Sequence, residues 1–296
     1  MFTPPATPPR RLAPSLTAAL LAAALSLGSA CAAETIKGPR PQAMDDRWVM
    51  DPPGITVETW TSGLTAPWSL AFLPDGRALV SERRGHIRLI GGDGRLLREL
   101  GRIQVLEDDE SGLMGLAVHP RFPDYPFIYA MYTWRQGGRR GNQVFRLRFD
   151  GNSVVFDKII VAGIPAGNNH NGGRIAFGPD GMLYVGTGDI WSRELAQRLD
   201  SLAGKILRLT PEGEIPADNP FPGSPVFSLG HRNVQGLAWR PGTGEFYATE
   251  HGPSGEVGFG SYDEVNRIVK GGNYGWPLMV GAPGRPGYLD PIVAWP

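Results

Sequence analysis

Cysteine is almost missing from this sequence. Cys31 is the only one in 296 residues, so no disulfide can form within the chain, and packing and hydrogen bonding must hold it together. An excess of either charge is also missing. The 29 Lys and Arg balance 29 Asp and Glu, and no basic stripe carries interleaved aromatics, which argues against nucleic acid and for a small or uncharged partner. Long apolar runs are lacking too: the run from Leu16 to Leu27 is too short to span a bilayer. His86, His119, His231 and His251 have no zinc spacing to one another. No Gly-x-Gly-x-x-Gly opens a helix after a strand, and there is neither a Walker loop nor a Gly-x-Ser-x-Gly elbow, which disfavours nicotinamide, nucleotide and serine-hydrolase chemistry.

What the chain does have is 41 glycines and 28 prolines placed between short apolar runs, the punctuation of an all-β protein. Residues 1–33 read as an export signal. Arg10 and Arg11 precede the apolar run, and Gly28-Ser29-Ala30-Cys31-Ala32-Ala33 offers small-residue cleavage sites. The expected location is periplasmic or secreted, either as a cleaved soluble form or lipid-anchored at Cys31, although Gly28 stands where a lipobox normally has Leu. Residues 34–55, with Pro39, Pro41, Pro52 and Pro53, read as a linker. Residues 56–296 form the remaining domain.

That domain repeats. Leu70-Ala71-Phe72 before Pro74-Asp75-Gly76 is echoed by Leu116-Ala117-Val118, Ile175-Ala176-Phe177 and Leu237-Ala238-Trp239. Each is followed, after a turn, by a second strand around Leu79, Ile128, Leu183 or Phe246. The repeated alanines lie roughly 45 to 60 residues apart, the length of a four-stranded blade with loop insertions. Period and pattern therefore give a β-propeller.

Polar residues gather at the strand ends. His170, in Asn168-Asn169-His170-Asn171-Gly172-Gly173, has the near-neutral chemistry of a base for a hydroxyl proton, or it bonds its own turn. Asp189 either orients that imidazole or caps a turn before Trp191. Arg232 beside Asn233 suits a flat, polyanionic, carbonyl-bearing ligand, or Arg232 bridges two blades.

Taken together, Asn169-His170-Asn171-Gly172-Gly173-Arg174, Gly230-His231-Arg232-Asn233, Glu250-His251-Gly252-Pro253, Asp263-Glu264-Val265-Asn266 and Gly272-Asn273-Tyr274-Gly275-Trp276 resemble the soluble quinoprotein aldose dehydrogenases, the glucose/sorbosone dehydrogenase family. Members are six-bladed propellers that use pyrroloquinoline quinone (PQQ) and calcium. The resemblance implies oxidation of an aldose at its anomeric carbon to a lactone, with electrons passed to an external acceptor. It implies His170 as base, and Arg232 and Asn233 at the PQQ carbon that accepts hydride. Carbonyls of Gly252 and Pro253 are implied to hold the PQQ-linked calcium. Asp263, Glu264 and the Tyr274 carbonyl match a second, structural calcium site of some members, here separated from Gly252-Pro253 by the insertion Ser254 to Tyr262.

Two departures from the family stand out. Glu110 replaces the glutamine of one glucose-oxidising branch, and a carboxylate there can still accept from a sugar hydroxyl. Only four blade signatures are visible, so an incomplete propeller of about four to five blades is expected, with the basic residues that clamp the PQQ carboxylates lying past Pro296. The rival functions are a calcium-dependent propeller lactonase and a non-catalytic sugar-binding or interaction propeller.

Overall fold

The structure is a computed structural model, described here over residues 34–40, 54–258 and 260–295. The segment read as an export signal, with Cys31, lies outside these residues. Among the described residues, four four-stranded antiparallel sheets and one two-stranded parallel sheet make up the fold. The first blade is β2 to β5 (Pro67–Phe72, Ala78–Glu82, His86–Ile90, Leu96–Arg102), and the second is β6 to β9 (Leu113–Val118, Phe127–Gln136, Arg139–Phe149, Val154–Ile164). The third is β10 to β13 (Ile175–Phe177, Leu183–Gly186, Lys205–Leu209, Val226–Leu229), interrupted by a 3-10 turn at Arg193–Gln197. The fourth joins β14 to β16 (Val234–Trp239, Phe246–Glu250, Asp263–Ile268) with β18 (Val293–Trp295), β17 (Met279–Val280) standing apart.

The repeated Leu-Ala motifs became the first strand of each blade. These four strands line a channel of about 580 Å³ that receives Ser69, Arg174 and Gln235. The cores lie between blades. Leu79, Ile87 and Leu89 of the first meet Ile128, Phe145 and Leu147 of the second. Met131 and Val144 of the second meet Leu183 and Leu207 of the third, and Tyr184 and Ile206 of the third meet Val234 and Phe246 of the fourth. Middle blades are therefore covered on both faces, which is why β11 and β12 are buried throughout instead of alternating. Each such Leu or Ile contributes about 1.5–3 kcal/mol by leaving water.

The segment expected to be a linker differs in part. Ile36–Lys37 forms β1, paired in parallel with β17, and Thr35 Oγ1 donates to Pro277 O at 2.8 Å. The unpaired backbone of β17 explains the docking, since an extended segment satisfies groups that would otherwise stay open. Residues 41–53 of that segment lie outside the described residues. Among the described residues, no helix is long and apolar enough to cross a membrane.

Candidate functional site

His170 sits on a tight loop between the second and third blades. Its backbone is left-handed, at φ 55°, and so is that of Gly172 at 65°. A Cβ on Gly172 would lie 2.6 Å from Gly186 O, so the loop can press against β11 only with glycine there. Glu110 Oε2 accepts the His170 backbone N–H at 2.7 Å, and Asn233 Oδ1 accepts that of Gly172 at 3.0 Å. Glu110 and Asn233 thus bind the loop from two neighbouring blades, and the amide oxygen of Asn233 is occupied by protein.

His170 is 4% exposed. Its Nδ1 meets Asp189 Oδ1 at 2.7 Å, and the second carboxylate oxygen accepts the Trp276 indole N–H at 2.8 Å. An ionised Asp189 accepts from Nδ1–H, which leaves the lone pair on Nε2. The ring stacks on Trp191 with centroids 4.5 Å apart, and Trp191 is itself 52% exposed, so this pair forms the solvent edge of the site.

Arg232 is 2% exposed and lies beside the same indoles, its guanidinium carbon 5.8 Å from the Trp191 ring centroid and 5.6 Å from that of Trp276. Its carbonyl accepts the Asp189 N–H at 2.8 Å, which pins the third blade to the fourth at this point. The guanidinium donates from Nε to Glu256 Oε1 at 2.5 Å, from Nη1 to His251 O at 3.2 Å and from Nη2 to Ser254 Oγ at 3.1 Å.

Of the residues expected to hold metal, Gly252 and Asp263 meet, because Asp263 Oδ1 accepts the Gly252 N–H at 2.9 Å. Pro253 follows, buried. Glu264, next to Asp263 in β16, points to the opposite face. There it accepts from Asn266, and burial, with the charge of Glu250 adding, pushes its carboxyl well above the usual range. The Tyr274 ring stacks on His231 and its hydroxyl donates to Arg267 O at 2.6 Å. Among the described residues, no three His, Cys, Asp or Glu side chains are grouped to hold a metal ion. The family resemblance implies main-chain carbonyls of Gly252 and Pro253 for a calcium ion, hard oxygen donors of the kind calcium accepts. A buried guanidinium between indoles likewise fits a flat anion.

Several site residues were not assigned from the sequence. Trp276 holds Asp189, and Gln197 Nε2 in turn donates to Trp276 O at 2.7 Å. Behind Arg232, His231 Nδ1 faces Glu250 Oε1 at 2.9 Å and its Nε2 faces Ser228 Oγ at 2.8 Å, while Glu250 Oε2 accepts the Arg232 N–H at 2.7 Å. The signal available was position alone: Trp191, His231, Glu250 and Trp276 all stand within or beside the motifs already singled out.

Blades around a channel, with a His, Asp and Arg cluster where their loops converge, define a β-propeller protein with a site built from several blades. The chain belongs to the glucose/sorbosone dehydrogenase family, whose model matches residues 64–285. It is 36% identical over 239 residues to aldose sugar dehydrogenase YliI of Escherichia coli, covering 77% of this chain and 63% of that one. It is 32% identical to quinoprotein glucose dehydrogenase B of Acinetobacter calcoaceticus, covering 77% and 53%. The chain thus spans little more than half to under two thirds of the length of these two relatives. Among solved structures, the PQQ-bound form of aldose sugar dehydrogenase from Streptomyces coelicolor matches with a TM-score of 0.74 and 43% identity, over 81% of this chain and 70% of that one.

Proposed function

We propose that this chain carries the site of an exported, PQQ- and calcium-dependent aldose dehydrogenase, oxidising the anomeric carbon to a lactone and passing electrons to an external acceptor. The observation that carries the reading is the His170–Asp189 pair at 2.7 Å, held against a half-exposed Trp191 with Arg232 beside the same indole. Export rests on the residues of the first 33 positions.

His170 takes the proton of the anomeric hydroxyl on Nε2, since Nδ1 is engaged with Asp189. Asp189, fixed by the Trp276 indole, holds the ring in that tautomer and faces the imidazolium that forms. Trp191 covers one face of the ring and limits water there. Arg232 supplies a fixed positive charge where negative charge develops. Gly252 and Pro253 would offer carbonyls to calcium, and Glu110 holds the His170 loop while remaining partly open to solvent. When bound, PQQ and its calcium supply the hydride acceptor.

The test is reconstitution. Aldose-dependent dye reduction that appears only when PQQ and calcium are added together supports the proposal. Lactone hydrolysis with calcium alone, and no dye reduction, refutes it in favour of a lactonase.

A further inference from the structure

Arg232 is already paired. The anion comes from residues 254–258 of the insertion, where Ser254 and Glu256 both meet the guanidinium. Glu256 is 14% exposed at its side chain. One of its oxygens meets Arg232 Nε at 2.5 Å and the other accepts the Ser254 N–H at 2.6 Å. Its carbonyl accepts from Arg193 Nη1 at 3.1 Å, which ties the segment to the 3-10 turn following Trp191. A guanidinium buried this deeply without an anion would be costly, so the carboxylate stabilises the site when nothing else fills it.

Glycines flank the contact on both sides. Gly255 and Gly258 are left-handed, at φ 112° and 86°, and nothing lies within 4 Å of the place a Cβ would take at either. The segment thus turns on two glycines, with Val257 between them packed against the cluster that holds Tyr262 and Trp276.

We propose that Glu256 is an internal counter-ion that competes with the anionic cofactor for Arg232 and so sets how tightly that cofactor binds. The inference rests on the quinoprotein reading above. Two anions contend for one cation, so the observed affinity is the intrinsic affinity reduced by the fraction of chains in which Glu256 has left. Glu256→Gln keeps the shape and removes the charge.

Titration of the whole 296-residue chain with PQQ in the presence of calcium, followed by quenching of tryptophan fluorescence, tests this. Glu256→Gln should bind about tenfold more tightly than the unaltered chain, since a charge-assisted contact is lost to the competitor and not to the ligand. Glu214→Gln, an exposed carboxylate elsewhere, should bind as the unaltered chain does. Independently of any variant, adding PQQ should speed amide hydrogen exchange at residues 254–258. Equal or weaker binding by Glu256→Gln, or slower or unchanged exchange, overturns the counter-ion role and leaves the quinoprotein reading standing. Absence of saturable quenching in all three proteins overturns both.

Discussion

Two buried histidines in this protein each set Nδ1 against a carboxylate, His170 against Asp189 at 2.7 Å and His231 against Glu250 at 2.9 Å. Each also stacks on an aromatic ring, Trp191 in one case and Tyr274 in the other. They differ in what surrounds the other nitrogen. His231 Nε2 meets Ser228 Oγ at 2.8 Å, and both residues are fully buried. His170 stands against an indole that is 52% exposed, whereas Tyr274 is 6% exposed. The pairing is thus a general way to orient a buried imidazole. Only an opening at the second nitrogen turns it into a base, and by that criterion the Ser228, His231 and Glu250 row is a brace and not a hydrolytic triad.

The strongest way to break the comparison is to exchange the consequences. His170→Gln should lower dye reduction in the reconstituted protein by about 10³-fold, within the usual contribution of a positioned base. Its stability should change by no more than about 1 kcal/mol, because Asp189 keeps the Trp276 and Trp191 N–H groups. Activity that survives this change would remove His170 as base.

Glu250→Leu should do the reverse. It strips an acceptor from His231, the Arg232 backbone and the Asn266 amide at once. Breaking a buried pair in this manner costs about 3–5 kcal/mol, and urea unfolding would show it as a lower midpoint. A midpoint shift no larger than that of His170→Gln would mean that the two pairs carry the fold equally.

How much of this could be read in advance depends on distance along the chain. The blades were legible because each motif, such as Ile175-Ala176-Phe177 before Pro179-Asp180-Gly181, is a local strand and turn repeated at a regular period. The His170 and Asp189 pairing was legible for the same reason, since the two residues flank the first hairpin of one blade. The Trp276 to Asp189 bond, 87 positions apart, was not, because its register is set by how the fourth blade docks on the third. The Glu256 contact was hidden by its place in an insertion, where no repeat constrains the backbone. Ile36 reads as linker because the prolines that follow at 39 and 41 outweigh two residues of strand.

A smaller effect sharpens the contrast. Trp276→Phe keeps the ring and removes the N–H that holds Asp189. It should lower kcat about tenfold with KM little changed, the usual penalty for a base held less firmly, and stability should fall by about 1 kcal/mol. Steady-state kinetics on the reconstituted protein would separate this from the His170→Gln loss. A Trp276→Phe effect as large as that of His170→Gln would make Trp276 part of the reacting centre.

The last contrast concerns what lies beneath each histidine. Below the His170 side, Lys205 Nζ donates to Leu195 O, Ala196 O and Ala203 O at 2.7, 3.0 and 2.7 Å, fixing the 3-10 turn that follows Trp191. Burial pushes this amine down to about 7, against a smaller opposing pull from Asp200. A solvated lysine amine, as in an unfolded chain, ordinarily titrates near 10.5. Between those values the unfolded chain holds a proton that the folded one does not, so unfolding takes up a proton and stability rises with pH from about 7 toward 10.5. As pH falls through 7, that contribution is lost. The unfolding free energy of the unaltered chain minus that of Lys205→Met, measured in urea at several values across this range, should therefore grow with pH. A flat difference would show that the three carbonyls hold the ammonium as well as water does, leaving the turn under Trp191 as insensitive to pH as a network of neutral bonds.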